Sequence, residues 1–338
     1  MRVKAIMIRI LLQLAHDKRT IGLMIFAPIL ILTLMSFIFD GSDYHPKIGI
    51  INAPITFVNK LEDNDAEVTR YDESNAYYTL SQSEVDAIIN FENGIPHVML
   101  ECSDPSKTKA VLKLVQDVSN KLNTAYKPDI TYLYGYEDMA AFDNFGPILI
   151  GFFIFFFVFL ISGVAFLGER TSGTLERILA TPLRRWEIVI GYIFGFGVFT
   201  IIQSTLISWY SINILNIMMV GSFALVLLIT ILTALVALTI GMFISAFANN
   251  EMQMIQFIPI IIVPQIFFSG LFDLSTMAKW LQSIGHFMPL WYIADALRNI
   301  MIRGKGWNDI AFDVLILILI CVFFIIANIL VLKKYRKI

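Results

Sequence analysis

The sequence predicts an all-α transmembrane fold of six helices, with re-entrant outer helices after span five and an inserted α/β extracellular domain. Three observations predict it. The 338 residues are 57% hydrophobic and only 15% charged, with a mean hydropathy of +0.72. Six long runs lack any Asp, Glu, Lys, Arg or His, and one long polar stretch separates the first two. A soluble core does not need this much apolar surface, so the composition excludes an ordinary globular domain.

Each charge-free run is long enough to span a membrane, because about 30 Å of hydrocarbon requires roughly 20 helical residues. The runs lie at 21–39, 147–167, 188–212, 222–247, 252–272 and 314–332. Lys and Arg cluster before the first run, after the second and in the tail at 333–338. Basic residues mark cytoplasmic loops. We therefore expect a multi-pass protein of the cell membrane, a bacterial plasma membrane, with both termini cytoplasmic.

Residues 1–20 predict a helix that lies in the membrane interface. One helical stripe is apolar, and it comprises Val3, Ile6, Met7, Ile10, Leu11 and Leu14. Charged and polar residues lie off this stripe, as in interfacial amphipathic helices. A plain cytoplasmic extension of the first span is the alternative. The following apolar run is long and lacks a cleavage site, so we expect an uncleaved anchor.

Residues 40–143 predict a small α/β domain that the topology places outside the cell. It carries 8 basic and 18 acidic residues. Strand-like runs lie at 47–51, 85–91 and 97–101, and a helix is expected from about 105 to 126. The acidity either keeps a soluble surface solvated or attracts cations. No metal-ligand spacing, nucleophile elbow or phosphate loop is present in this segment.

The loop at 168–187 carries most of the remaining motif information. Residues 168–191 read GERTSGTLERILATPLRRWEIVIG, so the loop is a charged island between two apolar runs. We expect a short helix parallel to the membrane that binds a soluble partner. Thr174 or Thr181 suits a helix start, and Pro182 suits a first helical position. Glu169 and Glu176 are expected to pair with basic groups on that partner; anchoring at lipid headgroups is the alternative.

This island resembles the coupling-helix region of ABC type-2 permeases, whose pattern is close to ER-x-x-GTLE-x-L-x-TP-L-x-R. The matching residues are Glu169, Arg170, Gly173, Thr174, Leu175, Glu176, Thr181, Pro182, Leu183 and Arg185. A block at 259–298 resembles the same family's fifth span and the re-entrant segment, here 273–298. It departs from the family's pattern at Asp273 and Ala278, where the family often has Pro.

The resemblance implies a transmembrane subunit of an ABC exporter. The motif residues, with Arg177, would couple this chain to separate ABC ATPase subunits, and a second permease copy, identical or homologous, would complete the pathway. The sequence agrees, because it has no GxxxxGK[ST] loop and no ionisable residue in the six runs to drive transport. We expect no enzymatic activity and no cofactor in this chain, with ATP and Mg on the ATPase. Membrane lipid is an expected partner, and nucleic acid is not.

Polar and proline residues in the spans are candidates for lining a transport pathway. They are Gln203, Gln256, Pro259, Pro264, Gln265 and Phe268, the last an aromatic neighbour. Interhelical hydrogen bonding is the usual role of such polar residues. The charge-free runs favour export of amphipathic or hydrophobic compounds such as drugs, antimicrobial compounds or lipids. A sodium-extruding permease and a non-transporting sensor are the alternatives.

Overall fold

The computed structural model describes residues 2–39, 45–64, 66–81, 84–92, 95–100, 105–122, 141–271 and 279–335. It divides the chain into a helical unit, Met1–Asp40 with Tyr132–Ile338, and a small unit, Gly41–Thr131. In chain order the elements are α1 (Arg2–His16), α2 (Lys18–Phe39), β1 (Lys47–Ile51), α3 (Ile55–Glu62), β2 (Glu67–Arg70), α4 (Glu73–Ser81), β3 (Ala87–Glu92), β4 (Ile95–Leu100), α5 (Pro105–Leu122), α6 (Ala141–Thr171), α7 (Thr174–Leu179), α8 (Arg185–Asn213), α9 (Phe223–Ser245), α10 (Glu251–Phe267), α11 (Lys279–Gly285), α12 (Pro289–Met301) and α13 (Trp307–Tyr335).

Five described helices are long and apolar enough to cross a membrane: α2, α6, α8, α9 and α13. The span expected at 252–272 corresponds to α10, which is apolar but has only 17 residues and ends at Phe267. Pro259 and Pro264 lie inside it without ending it. The helical membrane architecture therefore holds, with five full-length helices and one shorter helix in the place of the sixth.

The helices are longer than the charge-free runs that predict them, so they contain ionisable residues after all. α6 begins before residue 147 and includes Asp143 and Glu169, and α13 begins before residue 314 and includes Asp313. All three side chains are buried. Asp143 accepts a hydrogen bond from the backbone amide of Met218 at 2.8 Å. Lipid provides no hydrogen-bond donor, so a buried carboxylate needs one from the protein. The six runs themselves contain no ionisable residue, but two of the helices that extend beyond them do.

Small residues allow α6 and α9 to cross closely at the centre of the helical unit. A Cβ on Gly241 of α9 would lie 2.5 Å from the carbonyl oxygen of Phe159 on α6. α13 joins the same core through Asn328, whose amide donates to the carbonyl oxygen of Thr239 at 2.9 Å. Packing of small residues and hydrogen bonds across helices are the usual means of association where lipid removes the hydrophobic driving force.

α1 is a separate helix that packs on α8. Its buried residues, Ile6, Ile10 and Leu14, belong to the predicted apolar stripe. Ile6 and Ile10 lie over Gly191 and Gly195, where an added Cβ would approach their Cβ atoms to 2.8 and 2.7 Å. Asp17 separates α1 from α2 and accepts the amide hydrogen of Thr20. α1 is therefore distinct from α2, and part of the stripe packs on protein; its place at the membrane interface or as a cytoplasmic extension stays a prediction.

The described part of the segment after α10 forms two helices, α11 and α12, with Pro289 at the start of the second; that they re-enter the membrane stays a prediction. The second helix, α12, has a buried face: Leu290, Ile293 and Leu297 are each 0% exposed. It contacts α6, α9 and α13 and extends to Met301, past the predicted end. A loop at the protein surface does not fit this burial. Asp273 and Ala278 lie outside the described residues.

The small unit is the predicted α/β fold, built on a four-stranded sheet in the order β2-β1-β3-β4. β1 pairs in parallel with β2 and β3, and β3 pairs antiparallel with β4. One core joins the sheet to α3 and α5, and another joins it to α4. The three predicted strands are present within two residues of their expected starts. β2, α3 and α4 were not predicted.

Candidate functional site

The loop between α6 and α8 folds back through a glycine turn into α7. Gly173 has a φ of 73°, a left-handed conformation that favours glycine, and it directly precedes the helix. Thr174 begins α7, which is one of the two expected starts. Leu175 and Leu179 are buried, so they fix one face of the short helix against the helical unit. The residue order of the motif therefore produces a helix with a defined inner face.

The other face of this loop carries charge into solvent. Glu176, Arg177, Thr181 and Pro182 are exposed, whereas Arg170 and Arg185 are half-buried. α8 begins at Arg185, with the backbone amide of the preceding residue donating to a carboxylate oxygen of Glu187 at 2.7 Å. That cap sets the helix start, so the expectation of Pro182 at a first helical position is wrong.

Glu169 is not part of the exposed face. Its side chain is 4% exposed, and its carboxylate accepts hydrogen bonds from the Nη2 of Arg9 at 2.7 Å and from the hydroxyl of Tyr192 at 2.8 Å. The same Nη2 donates to the Tyr192 hydroxyl at 2.9 Å. These three residues, on α1, α6 and α8, are called the Glu169 cluster below. The expectation that Glu169 pairs with basic groups of a partner is therefore wrong.

Arg9 keeps its charge although it is half-buried. Burial by itself lowers the pKa of the Arg9 guanidinium, but the adjacent Tyr192 hydroxyl and Glu169 carboxylate outweigh it and raise this pKa above its ordinary value. The guanidinium also lies 5.7 Å from the centroid of the Tyr192 ring. An ion pair with hydrogen bonds on both partners fixes the geometry of the helices that carry it.

A second contact joins α1 to the far end of the loop. The Nη1 of Arg2 donates to the carbonyl oxygen of Pro182 at 3.0 Å and lies 3.9 Å from a carboxylate oxygen of Glu187. Arg2 is exposed, so this contact is weaker than the Glu169 cluster. α1 thus contacts the residues on both sides of α7.

The six candidate pathway residues do not converge in the structure. Gln203 is 1% exposed on α8, and neither atom of its amide has a hydrogen-bond partner among the described residues. Gln265 accepts from the amide of Leu290 at 3.1 Å and so holds the start of α12 to α10. Phe268 is buried, Pro264 is half-buried, and Gln256 and Pro259 are exposed on α10.

Gln265 also borders an apolar cavity of about 650 Å³ between α9, α10, α12 and α13. The other five candidates are absent from its described lining. In the described part of the chain, no group of three or more His, Cys, Asp or Glu residues is placed to hold a metal ion. The assignment of these six residues to a transport pathway therefore stays a prediction. Within this single chain they do not line one common cavity.

Sequence reasoning missed Arg9 and Tyr192, the two partners of Glu169. One signal was present: Arg9 lies between Ile6 and Ile10 in a helix whose other face is solvated. Tyr192 is a single hydroxyl-bearing aromatic residue near the start of an apolar run. Neither feature by itself indicates a partner, because both side chains are common at membrane interfaces.

Comparisons with known proteins agree with this architecture. The family described as "ABC-2 family transporter protein" matches residues 18–330. ABC transporter G family member 20 of Dictyostelium discoideum is 22% identical over 294 residues, which are 86% of this chain and 39% of that protein. The probable multidrug ABC transporter permease YbhR of Escherichia coli strain K12 is 25% identical over 158 residues, covering 45% of this chain and 43% of that protein.

A third relative is the linearmycin resistance permease protein LnrN of Bacillus subtilis strain 168. It is 28% identical over 168 residues, covering 47% of this chain and 42% of that protein. The matched part of this chain thus spans less than half the length of each of these three relatives.

Proposed function

This chain belongs to the ABC-2 family of transporters, and from that membership we propose that it is the permease subunit of an ATP-driven exporter. The surface on which an ABC ATPase docks is the exposed face of α7, with Glu176 and Arg177 at its centre. The residues of the motif divide by role: Leu175 and Leu179 fix the helix, and the charged residues bind the partner. Glu169 is a positioning residue that acts through Arg9 and Tyr192.

The observation that carries this proposal is the attachment of α7. A conformational change of the ATPase moves the spans only if the docking helix is attached rigidly to them. The chain between α6 and α7 is two residues long, and the Glu169 cluster links the end of α6 to α1 and α8. A displacement at α7 is thus delivered to three helices at once, which a loop that only anchors at headgroups does not require.

The relatives and the composition support the rest of the proposal. The 338 residues of this chain contain no GxxxxGK[ST] loop, and in our proposal ATP and Mg bind an ABC ATPase partner. Two relatives are named as multidrug and linearmycin resistance permeases, which supports amphipathic or hydrophobic cargo. Only 22% of the spanning windows of α2 and α13 is buried, compared with 72% for α6. Lipid and a second permease copy cover the remaining apolar faces.

The docking surface is tested by charge reversal at Arg177. In Arg177→Glu, we expect the amount of ABC ATPase that co-purifies with the permease to fall about tenfold, because charge reversal at an interface costs roughly 1.4 kcal/mol or more. The control is Lys4→Glu, which reverses an exposed basic residue on α1, off the docking face. Equal ATPase recovery with both variants would favour the headgroup-anchor explanation.

Orientation is tested by cysteine labelling in a Cys102→Ser, Cys321→Ser background. A cysteine at Thr56, exposed on α3 of the small unit, is expected to react with an impermeant thiol reagent in intact cells. A cysteine at Ser172, exposed between α6 and α7, is expected to react only after the cells are opened. Labelling of Ser172→Cys from outside would place the docking surface on the wrong side of the membrane.

A further inference from the structure

A cavity of about 840 Å³ lies beside the Glu169 cluster, between α1, α2, α6, α8 and α10. Cavities that bind small organic molecules have volumes of roughly 300–1,000 Å³. Thr174, the first residue of α7, borders the cavity, but Glu176 and Arg177, at the centre of the α7 surface that we assign to the ATPase, do not line it. Its chemistry therefore requires its own explanation.

The lining changes from apolar to polar along the cavity. On α6, Leu160, Ile161 and Val164 come first and Glu169 follows, and Ser172 lies just after the helix ends. Residues 160 to 169 extend about 14 Å along the helix at 1.5 Å per residue, which is the length of a medium-sized amphiphile. The cavity thus has one apolar end, within the spans, and one polar end, near the loop.

The neighbouring helices repeat the same order. On α10, Ile255 lies deeper in the helix than Glu251, and on α2, Leu23 lies deeper than Thr20. Phe196 of α8 adds an aromatic ring to the lining. Because separate helices place their polar residues toward the same end, the division belongs to the cavity and not to one helix.

The polar end carries more negative than positive charge in its described lining. Asp17, Glu169 and Glu251 contribute carboxylates, and Arg9 contributes a guanidinium. Arg9 and Glu169 are already joined at 2.7 Å, so this pair is neutral toward a ligand. Glu251 lies in the first turn of α10, where a carboxylate complements the helix dipole. This explains why an acidic residue is favoured at that position, but it does not explain the cavity beside it.

We propose that this cavity binds an amphipathic organic cation, with its apolar body among Leu160, Ile161 and Val164 and its positive group near Glu251. The negative end attracts the cation, and the apolar end and Phe196 provide burial and a cation–π surface. The inference rests on the proposed function, in which such a molecule is the cargo taken up before export.

The test measures dye binding to the purified full-length chain in lipid nanodiscs, without ATPase. Rhodamine 6G is the cationic amphipathic probe, and Nile red is the uncharged control. In Glu251→Gln, rhodamine 6G affinity is expected to fall about fivefold to tenfold from loss of one cation–carboxylate attraction, while Nile red affinity stays unchanged. The matched control is Asp309→Asn, which removes a first-turn acid from α13, away from the cavity.

A second pair of variants tests the cavity itself. Val164→Trp fills the apolar end and is expected to lower rhodamine 6G affinity at least about tenfold, whereas Val322→Trp, on the exposed face of α13, leaves it unchanged. The proposal is overturned if Glu251→Gln and Asp309→Asn weaken rhodamine 6G binding equally, or if Glu251→Gln weakens the binding of rhodamine 6G and Nile red to the same extent. It is also overturned if Val164→Trp binds rhodamine 6G like the wild type. Because no ATPase is present, these results are independent of the Arg177 experiment.

Discussion

Glu169→Gln is expected to detach α1 and to reduce export by about tenfold or more. The variant leaves the half-buried Arg9 guanidinium facing a neutral amide, and removing the charged partner of such a hydrogen-bonded pair costs about 1–3 kcal/mol. Tyr192 keeps a hydrogen-bond acceptor, so the bundle itself is expected to fold. The measurements are protease sensitivity of α1 and export from inverted vesicles that contain the ATPase complex.

Glu176→Gln is the matched control, because it makes the same change in the same motif at an exposed carboxylate. It is expected to cost no more than about 1 kcal/mol of stability and to leave α1 protected. A double-mutant cycle with Arg9→Gln separates mechanism from general damage. If the double variant loses as much as the two single variants added together, Arg9 and Glu169 are not coupled, and the positioning role of Glu169 is wrong.

Gly241→Ala is expected to prevent correct folding of the helical unit. The added methyl group would lie 2.5 Å from the carbonyl oxygen of Phe159, and backbone is not able to move aside as a flexible side chain does. α6 and α9 must then separate, at a cost of about 3 kcal/mol or more, the upper part of the range for overpacked cores. The measurement is the melting temperature and the monodisperse fraction in detergent.

Gly197→Ala provides the comparison for Gly241→Ala. Gly197 is equally buried, but the nearest atom to its added Cβ is 3.9 Å away on Leu235, which is an ordinary contact. This variant is expected to fold like the wild type. Equal stability of the two alanine variants would show that the crossing of α6 and α9 is looser than the structure has it.

The sequence predicted those features whose cause is local. A charge-free run of sufficient length requires a helix in lipid, and alternation with turn residues predicted three of the four strands. The starts of α6 at Ala141 and of α13 at Trp307 were not predictable, because Asp143 and Asp313 lie outside the charge-free runs while the helices continue through them. β2, α3 and α4 were missed because short elements carry few periods of their pattern.

The Glu169 cluster was beyond prediction for a different reason. The motif indicated an exposed acid near a partner, whereas the side chain is buried against Arg9, 160 residues away in sequence. Nothing in the pattern around Glu169 distinguishes an acid that binds another protein from one that binds a distant helix of its own chain. The burial of Leu175 and Leu179, in contrast, follows directly from their spacing on one helical face.

The distance of 160 residues between Arg9 and Glu169 also fixes an order of events during biosynthesis. At about 5–20 residues per second, α1 leaves the ribosome roughly 10–30 s before its partners on α6 and α8 exist. During that interval Gly191 and Gly195 have not been synthesised, so α1 has no protein surface to pack on. Its amphipathic surface must therefore hold it at the membrane. Attachment of α1 is therefore a late step of insertion, and a chain that loses Glu169 leaves the translocon with its first helix still unattached and accessible to membrane proteases.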